Sequence, residues 1–377
     1  MQSKFPNIFL GITLVLSVFI LFVLVYTLTV LIPHRVSEIF GPPSEDLERS
    51  REIIYAFRLL INQEKLLKPN KDQTVDTVFV IHQGMSAAEI AGNLESQEII
   101  SDAESFIDFL IYKGIDRKIQ AGVYRFRPDF KPNEIAGLIY DTNPADITFS
   151  FLAGWRVEEI AELIPYSGLE FSTEDFLQSI NTPITVGING QNTNLPFLEG
   201  FLFPDSYTIE RTATPSDVVG FFTKRFFEEL PSDYAARVGA RGLTLYEAVT
   251  LASIVQKELV MRDEAPLIAS VFLNRLSAGM PLQSDPTVQY ALGYVQEQQT
   301  WWKNPLEAAD MDIDSRYNTY RFSGLPTGPI CNPDLDALLS IISQVQTDFF
   351  YFRSSCDGSG SHVFSETYEE HSNSVCK

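Results

Sequence analysis

No charged residue interrupts the stretch Ile8 to Ile32, IFLGITLVLSVFILFVLVYTLTVLI, a run of 25 positions that is mostly aliphatic or aromatic. At about 1.5 Å per residue a helix of this length exceeds the roughly 30 Å hydrocarbon core of a bilayer, so the pattern predicts one spanning helix with some tilt. Pro33, His34 and Arg35 follow it directly, and no small-residue cleavage site intervenes, so a retained anchor is expected rather than a cleaved signal peptide. Lys4 and Arg35 flank the run almost evenly, and loop charge barely decides its direction. Most of the sequence lies after the run, so a short cytoplasmic N-terminus with everything after Pro33 outside is the expected topology.

Beyond the anchor the pattern turns polar. Pro42, Pro43 and Ser44 open a charged helical stretch from Glu45 to Leu67, and Pro69 to Thr74 reads as a linker. Residues 34–76 are therefore expected to form a solvated spacer. Alternation then takes over: Thr77 to Ile81 (TVFVI) and Ala121 to Phe126 (AGVYRF) predict strands. Ser86 with Glu89, and Ser101 with Glu104, have capping-box spacing and predict a helix each between those strands. Pro132 to Tyr140 predicts a further helix. The pattern partly repeats. Gly84 precedes Glu89-Ile90-Ala91 by five residues, and Gly154 precedes Glu159-Ile160-Ala161 by the same interval. A strand from Ile147 to Leu152 leads the second copy and a helix from Ser172 to Ile180 follows it.

In the second half of the sequence the period lengthens again. Thr214 and Pro215 predict a helix running to Leu230, and Asp263 with Pro266 one that stops at Gly279. Between them, Thr244 and Glu247 make a third capping box, which fixes the phase of an apolar helix. Its predicted buried stripe is Leu245, Ala248, Val249, Ala252, Val255 and Leu259. Glu258 falls on the shoulder of that stripe. A carboxylate there loses hydration and holds its proton more tightly, which suits a general acid for glycosidic-bond cleavage. The plain alternative is a helix-end glutamate paired to Lys257 or Arg262.

Composition narrows the class. There are 49 acidic against 28 basic residues, a net charge of −21, which excludes a nucleic-acid partner held by clustered Lys and Arg. Cys331, Cys356 and Cys376 are too few for a disulfide framework, although Cys356 and Cys376 have the option of pairing outside the cell. His362 and His371 lack a metal-ligand spacing, and no metal or cofactor is expected.

Two resemblances follow from these residues. The β-α-α-β order with Gly84 at the first turn resembles the LysM glycan-binding module. More specifically, LEGFLFPDSY, LASIVQKE, VFLNRL, LQSDPTVQYALG, YNTY, GLPTGPI and SHVFSETYEEH occur in the order of the YceG-like family, the endolytic murein transglycosylases. The similarity runs from about Val78 to the C-terminus, with the family's single anchor in front. It implies an α+β enzyme laid out as anchor (1–33), juxtamembrane helix and linker (34–76), LysM-like module (77–143) and catalytic domain (144–377), the last including a second strand-helix-helix unit (144–185).

The resemblance implies that the protein sits in the plasma membrane and cuts peptidoglycan glycan strands internally, between N-acetylmuramic acid and N-acetylglucosamine. The cut is made without water and leaves 1,6-anhydromuramic acid ends. Glu258, which closes the SIVQKE block, is the implied catalytic residue. It would act first as acid and then as base, with the sugar's own C6 hydroxyl replacing a second carboxylate. Gln283, Asp285, Asn318 and Tyr320 are the candidate substrate contacts, and cell-wall synthesis enzymes the expected partners. Glu199 is the competing acid, read as a fold determinant. The sequence departs from the family pattern at Ala153-Gly154, Thr327, Cys331 and Asp334, none of which touches Glu258. A muramidase using water, with Asp285 as base, and a glycan-binding scaffold without activity are the alternatives.

Overall fold

A computed structural model describes residues 6–140, 146–188 and 191–375. It divides into two compact units, the first ending at Ile147 and the second beginning at Thr148. Both helices and strands are present in each, giving a mixed α+β protein.

The first unit starts with helix α1 (Pro6–Tyr26), which passes through a π-helical turn (Thr27–Leu31) into α2 (Ile32–Phe40). Among the described residues, Ile12–Phe40 is the one helical stretch long and apolar enough to cross a membrane. The sequence suggested that Pro33 would end it. Instead Pro33 sits at the start of α2, where a missing backbone N–H costs least, and the wide turn before it makes room for the ring. The helix stops at Gly41, whose φ of 80° suits glycine.

Helices α3 (Arg49–Ile61) and α4 (Gln63–Leu67) follow. They correct the expectation of a solvated spacer. Val36, Phe40, Ala56, Leu59 and Leu66 are buried in one apolar cluster with Phe79, Leu94, Phe106 and Phe126 of the strand-and-helix segment beyond. Even the expected linker is tied down. Asn70 donates from Nδ2 to the Glu98 carbonyl at 2.6 Å, and Gln73 from Nε2 to that of Phe126 at 3.0 Å. Burying Val36, Phe40, Leu59 and Leu66 contributes on the order of 6 kcal/mol. Removing residues 1–31 is therefore expected to leave this unit folded, whereas removing residues 1–68 unfolds it. Amide-exchange protection at Phe79 and Tyr124 checks this: retained protection after the longer deletion would restore the spacer reading.

The next elements run β1 (Thr77–Ile81), α5 (Ala87–Ser96), α6 (Ala103–Lys113), β2 (Gly122–Phe126) and α7 (Pro132–Ile139). The strands pair antiparallel, with Thr77 opposite Phe126 and Ile81 opposite Gly122. The Ser86–Glu89 capping box forms as the spacing predicts. The Ser101 box does not. Asp102 caps α6 by accepting from Ser105 N at 2.8 Å, and Glu95 satisfies a second free donor of the first turn by accepting from Ala103 N at 3.1 Å.

Strand β3 (Asp146–Ser150) runs across the boundary into the second unit, which continues with α8 (Val157–Ala161), α9 (Ile164–Ser167) and α10 (Thr173–Ile180). The sequence repeat has a geometric counterpart: Gly84 and Gly154 both adopt positive φ, 86° and 80°. Glu159 then accepts from Arg156 N at 3.0 Å, as Glu89 does from Ser86 N at 2.8 Å. A hairpin of β4 (Ile184–Ile188) and β5 (Gln191–Leu195) intervenes without warning in the sequence, and β6 (Ser206–Glu210) returns to pair with β3. On this small sheet Phe222 of α11 (Pro215–Glu229) meets the rings of Phe151 at 5.1 Å and Tyr207 at 4.6 Å.

Helices α12 (Tyr234–Gly239), α13 (Leu245–Glu258), α14 (Ala265–Ser277), α15 (Asp285–Leu292) and α16 (Leu335–Ile341) form the remaining body. Strands β7 (Tyr351–Ser354) and β8 (His362–Ser365) and helix α17 (Tyr368–Asn373) close the unit. Helix α13 is more deeply placed than one stripe implies, because every residue from Ala248 to Val255 is buried. Asp263 lies inside a short 3₁₀ turn (Arg262–Glu264), so Glu264 rather than Asp263 precedes α14. Cys331 is a buried free thiol and Cys356 is disulfide-bonded; Cys376 lies outside the described residues.

Candidate active site

Glu258 is the last residue of α13, and Leu259 leaves the helix with φ −82° and ψ 117°. Because the preceding helix is locked in the core, this carboxylate has a fixed origin. It opens into a cleft of about 710 Å³ whose walls include Arg275, Gln283, Asp285, Tyr320, Tyr351 and His362. Burial pushes the Glu258 carboxyl above its ordinary range. The hydroxyl of Ser284 donates to Oε1 at 2.6 Å and pulls the other way, the charge of Asp285 adds to the rise, and His362 and Arg275 counter it. The carbonyl end of α13 gives a negative charge no help either.

The two ion pairs that would have made Glu258 an ordinary surface residue do not form. Lys257 places its Nζ 3.5 Å from the centre of the Trp302 ring and donates to the Gly154 carbonyl at 3.3 Å. Arg262 is occupied with Asp336 at 3.2 Å.

The cleft wall beside Glu258 is a strained, well-braced turn. Gln283 has φ 51°, an uncommon value for a residue with a side chain. The turn is held because Gln283 N donates to the Thr319 carbonyl at 3.2 Å and Ser284 N to Thr319 Oγ1 at 3.1 Å. Thr287 and Thr319 hydroxyls meet at 2.9 Å behind it. That brace is what aims the Ser284 hydroxyl. Asp285 accepts from Tyr320 Oη at 2.6 Å, and burial with this bond keeps the Tyr320 phenol protonated far above its usual range.

Of the four residues expected to contact substrate, Gln283, Asp285 and Tyr320 line the cleft. Asn318 does not. It is fully buried, its Nδ2 donates to the carbonyls of Met311 and Ile313 at 2.9 and 3.0 Å, and its Oδ1 accepts from Tyr320 N. It pins the turn that carries Tyr320. Glu199 is likewise enclosed, accepting from Asn332 Nδ2 at 3.0 Å and Val157 N at 3.2 Å, and burial holds it strongly toward its protonated form.

Several residues in and behind the cleft wall escaped sequence reading. Arg275 is 8% exposed and is committed to backbone, with Nε to the Phe350 carbonyl and Nη1 to that of Leu282, each at 2.6 Å. Its only signal was an arginine within an apolar helix. Tyr351 lies under that guanidinium at 5.2 Å. Glu264 grips His362 twice, from Nδ1 at 2.7 Å and from the backbone N at 3.0 Å.

The arrangement offers one carboxylic acid of raised pKa, a hydroxyl bonded to it, and aromatic and polar walls suited to sugar rings. Activity that needs protonated Glu258 should fall as pH rises through its pKa. Removing the Ser284 hydroxyl removes the bond that favours the carboxylate, so Ser284→Ala should move the alkaline limb of kcat/KM to higher pH. A limb that stays in place or moves down would detach Ser284 from the acid.

The YceG-like family model matches residues 79–377. A Bacillus subtilis protein named endolytic murein transglycosylase is 29% identical over 325 residues, covering 82% of this chain and 86% of that protein. A Streptococcus pneumoniae protein of the same name is 28% identical over 320 residues, covering 79% of this chain and 57% of the longer relative. The crystal structure of a yceG-like protein from Listeria monocytogenes superposes with a TM-score of 0.55 at 27% identity, covering 79% of this chain and 98% of that one.

Proposed function

This chain belongs to the YceG-like family, and on that premise we propose that it is a membrane-anchored endolytic peptidoglycan transglycosylase with Glu258 as its catalytic residue. The observation that carries the reading is the state of Glu258: a carboxyl at the end of a buried helix, proton-retaining, in a cleft, with Lys257 and Arg262 engaged elsewhere. The two relatives named above, both called endolytic murein transglycosylases, support the substrate class.

In the proposed reaction the strand lies across the cleft with the bond from N-acetylmuramic acid to N-acetylglucosamine beside Glu258. The acid gives its proton to the bridging oxygen as the bond to C1 breaks. The resulting carboxylate takes the proton of the C6 hydroxyl while that oxygen closes on C1, leaving a 1,6-anhydro end. Ser284, donating to Oε1, steadies the carboxylate stage. Asp285 is already engaged by the Tyr320 hydroxyl, which favours a positioning role for it over that of a water-activating base. The β-α-α-β segment of the first unit is assigned, on its LysM-like order, to holding glycan, and the apolar run Ile8–Ile32, ahead of the buried α2, to anchoring the protein with the catalytic unit outside. Cell-wall synthesis enzymes are the proposed partners, since an internal cut ends a growing strand.

The full-length protein in detergent micelles, incubated with purified glycan strands, tests the reading. Mean strand length should fall before small fragments accumulate. Binding without shortening would leave a glycan scaffold; release of end fragments only would contradict internal cutting.

A further inference from the structure

Arg353 on β7 lines the same cleft as Glu258, and among the described residues its side chain makes one hydrogen bond, from Nη1 to the His371 carbonyl at 3.4 Å. It has no carboxylate partner among those residues, in a protein with 49 acidic side chains to choose from. Arg275, the other guanidinium of the cleft, also lacks one, but its donors are committed to backbone carbonyls. Tyr351 lies against Arg275, with the His371 ring stacked on it at 5.4 Å. His371 is held toward its neutral form by burial and by the charges of Arg353 and Arg275. This part of the cleft is therefore electropositive and half-buried, with donors to spare. A half-buried guanidinium without a counter-ion gains from a ligand anion more than a fully solvated one does.

We propose that Arg353 binds a carboxylate of the peptide stem carried by the muramic acid residue next to the scissile bond, so that the cleft reads stem charge as well as glycan. The inference rests on the glycan-strand reading given above. Within that polymer the N-acetylated sugars are neutral, each lactyl carboxyl being taken up in the amide to its stem, and the free carboxylates lie on the stems. A guanidinium fork matches a carboxylate with two parallel hydrogen bonds, which a lysine does not reproduce. The cleft volume, about 710 Å³, falls in the roughly 300–1,000 Å³ range of sites that enclose more than one small ring.

The test compares three preparations of the same strands: natural stems, stems with carboxylates converted to amides, and stems removed with the lactyl carboxylates so exposed also converted to amides. With the full-length wild type in micelles, kcat/KM should be roughly tenfold higher on natural than on amidated stems, the difference lying in KM. Arg353→Gln should bring that ratio to about one, and Arg353→Lys should keep part of it. Equal rates of wild type on all three preparations would overturn the stem inference while leaving the glycan reading intact. So would an Arg353→Gln variant that loses equally on natural and amidated stems, which would make Arg353 a support of the fold. Failure of wild type to cut any preparation would overturn both.

Discussion

Glu258→Gln is expected to lower strand cleavage about a thousandfold while leaving the protein folded. Glutamine keeps the shape of the side chain and still accepts from Ser284 Oγ, but it has no proton to give and cannot take one back. The stability side of the same change has a definite sign. Burial raises the folded-state pKa of Glu258 above that of the unfolded state. The folded state therefore binds this proton more tightly, and its stability declines as pH rises from the unfolded to the folded pKa. At neutral pH a neutral amide avoids that decline, so the variant should melt at or above the wild-type temperature. Thermal unfolding alongside strand digestion separates the possibilities. A variant that melts well below wild type would make Glu258 a structural residue, and one that digests strands at the wild-type rate would remove it from the chemistry.

The largest expected loss of stability lies elsewhere, at Asn332. This side chain is fully buried and joins three segments. Its Oδ1 accepts from Gly200 N at 2.9 Å and Leu202 N at 3.0 Å; its Nδ2 donates to the Trp155 carbonyl and to Glu199 Oε1, both at 3.0 Å. Asn332→Ala strands two backbone donors and a buried carboxyl group. Losses of this kind cost about 3–5 kcal/mol, and at about 2–4 °C per kcal/mol for a unit of this size the melting temperature should fall by roughly 10 °C. Gly200 belongs to the same knot. Its φ is 85°, and a Cβ there would lie 2.6 Å from Pro329 Cβ and 2.9 Å from Val249 Cγ1. A melting shift of less than about 3 °C for Asn332→Ala would show that the knot relaxes freely.

These two residues also mark what sequence reading reaches. Capping signals and apolar period located α13 and put Glu258 at its end, because both are local properties of the backbone and its side chains. Ordered motif blocks then located the cleft segments around Gln283, Asp285 and Tyr320. What local pattern misses is long-range satisfaction. Asn332 bonds to residues more than a hundred positions away, and Asn318, though close to the cleft in sequence, turns inward to hold its own loop. The spacer helices failed for a related reason. Ala56, Leu59 and Leu66 form a narrow apolar edge on a charged background, legible as core only when the helices α6 and α7 they pack against are known. Arg275 was hidden because an arginine committed to backbone carbonyls looks, in sequence, like a misplaced surface residue.

The claim that Glu258 works without water as a reactant is open to one direct measurement. Glycan strands are digested by the full-length protein in water enriched in heavy oxygen, and the new ends are weighed by mass spectrometry. Anhydro ends that carry no heavy oxygen are expected. New reducing ends, each carrying one heavy oxygen from the solvent, would contradict it and make the enzyme a hydrolase.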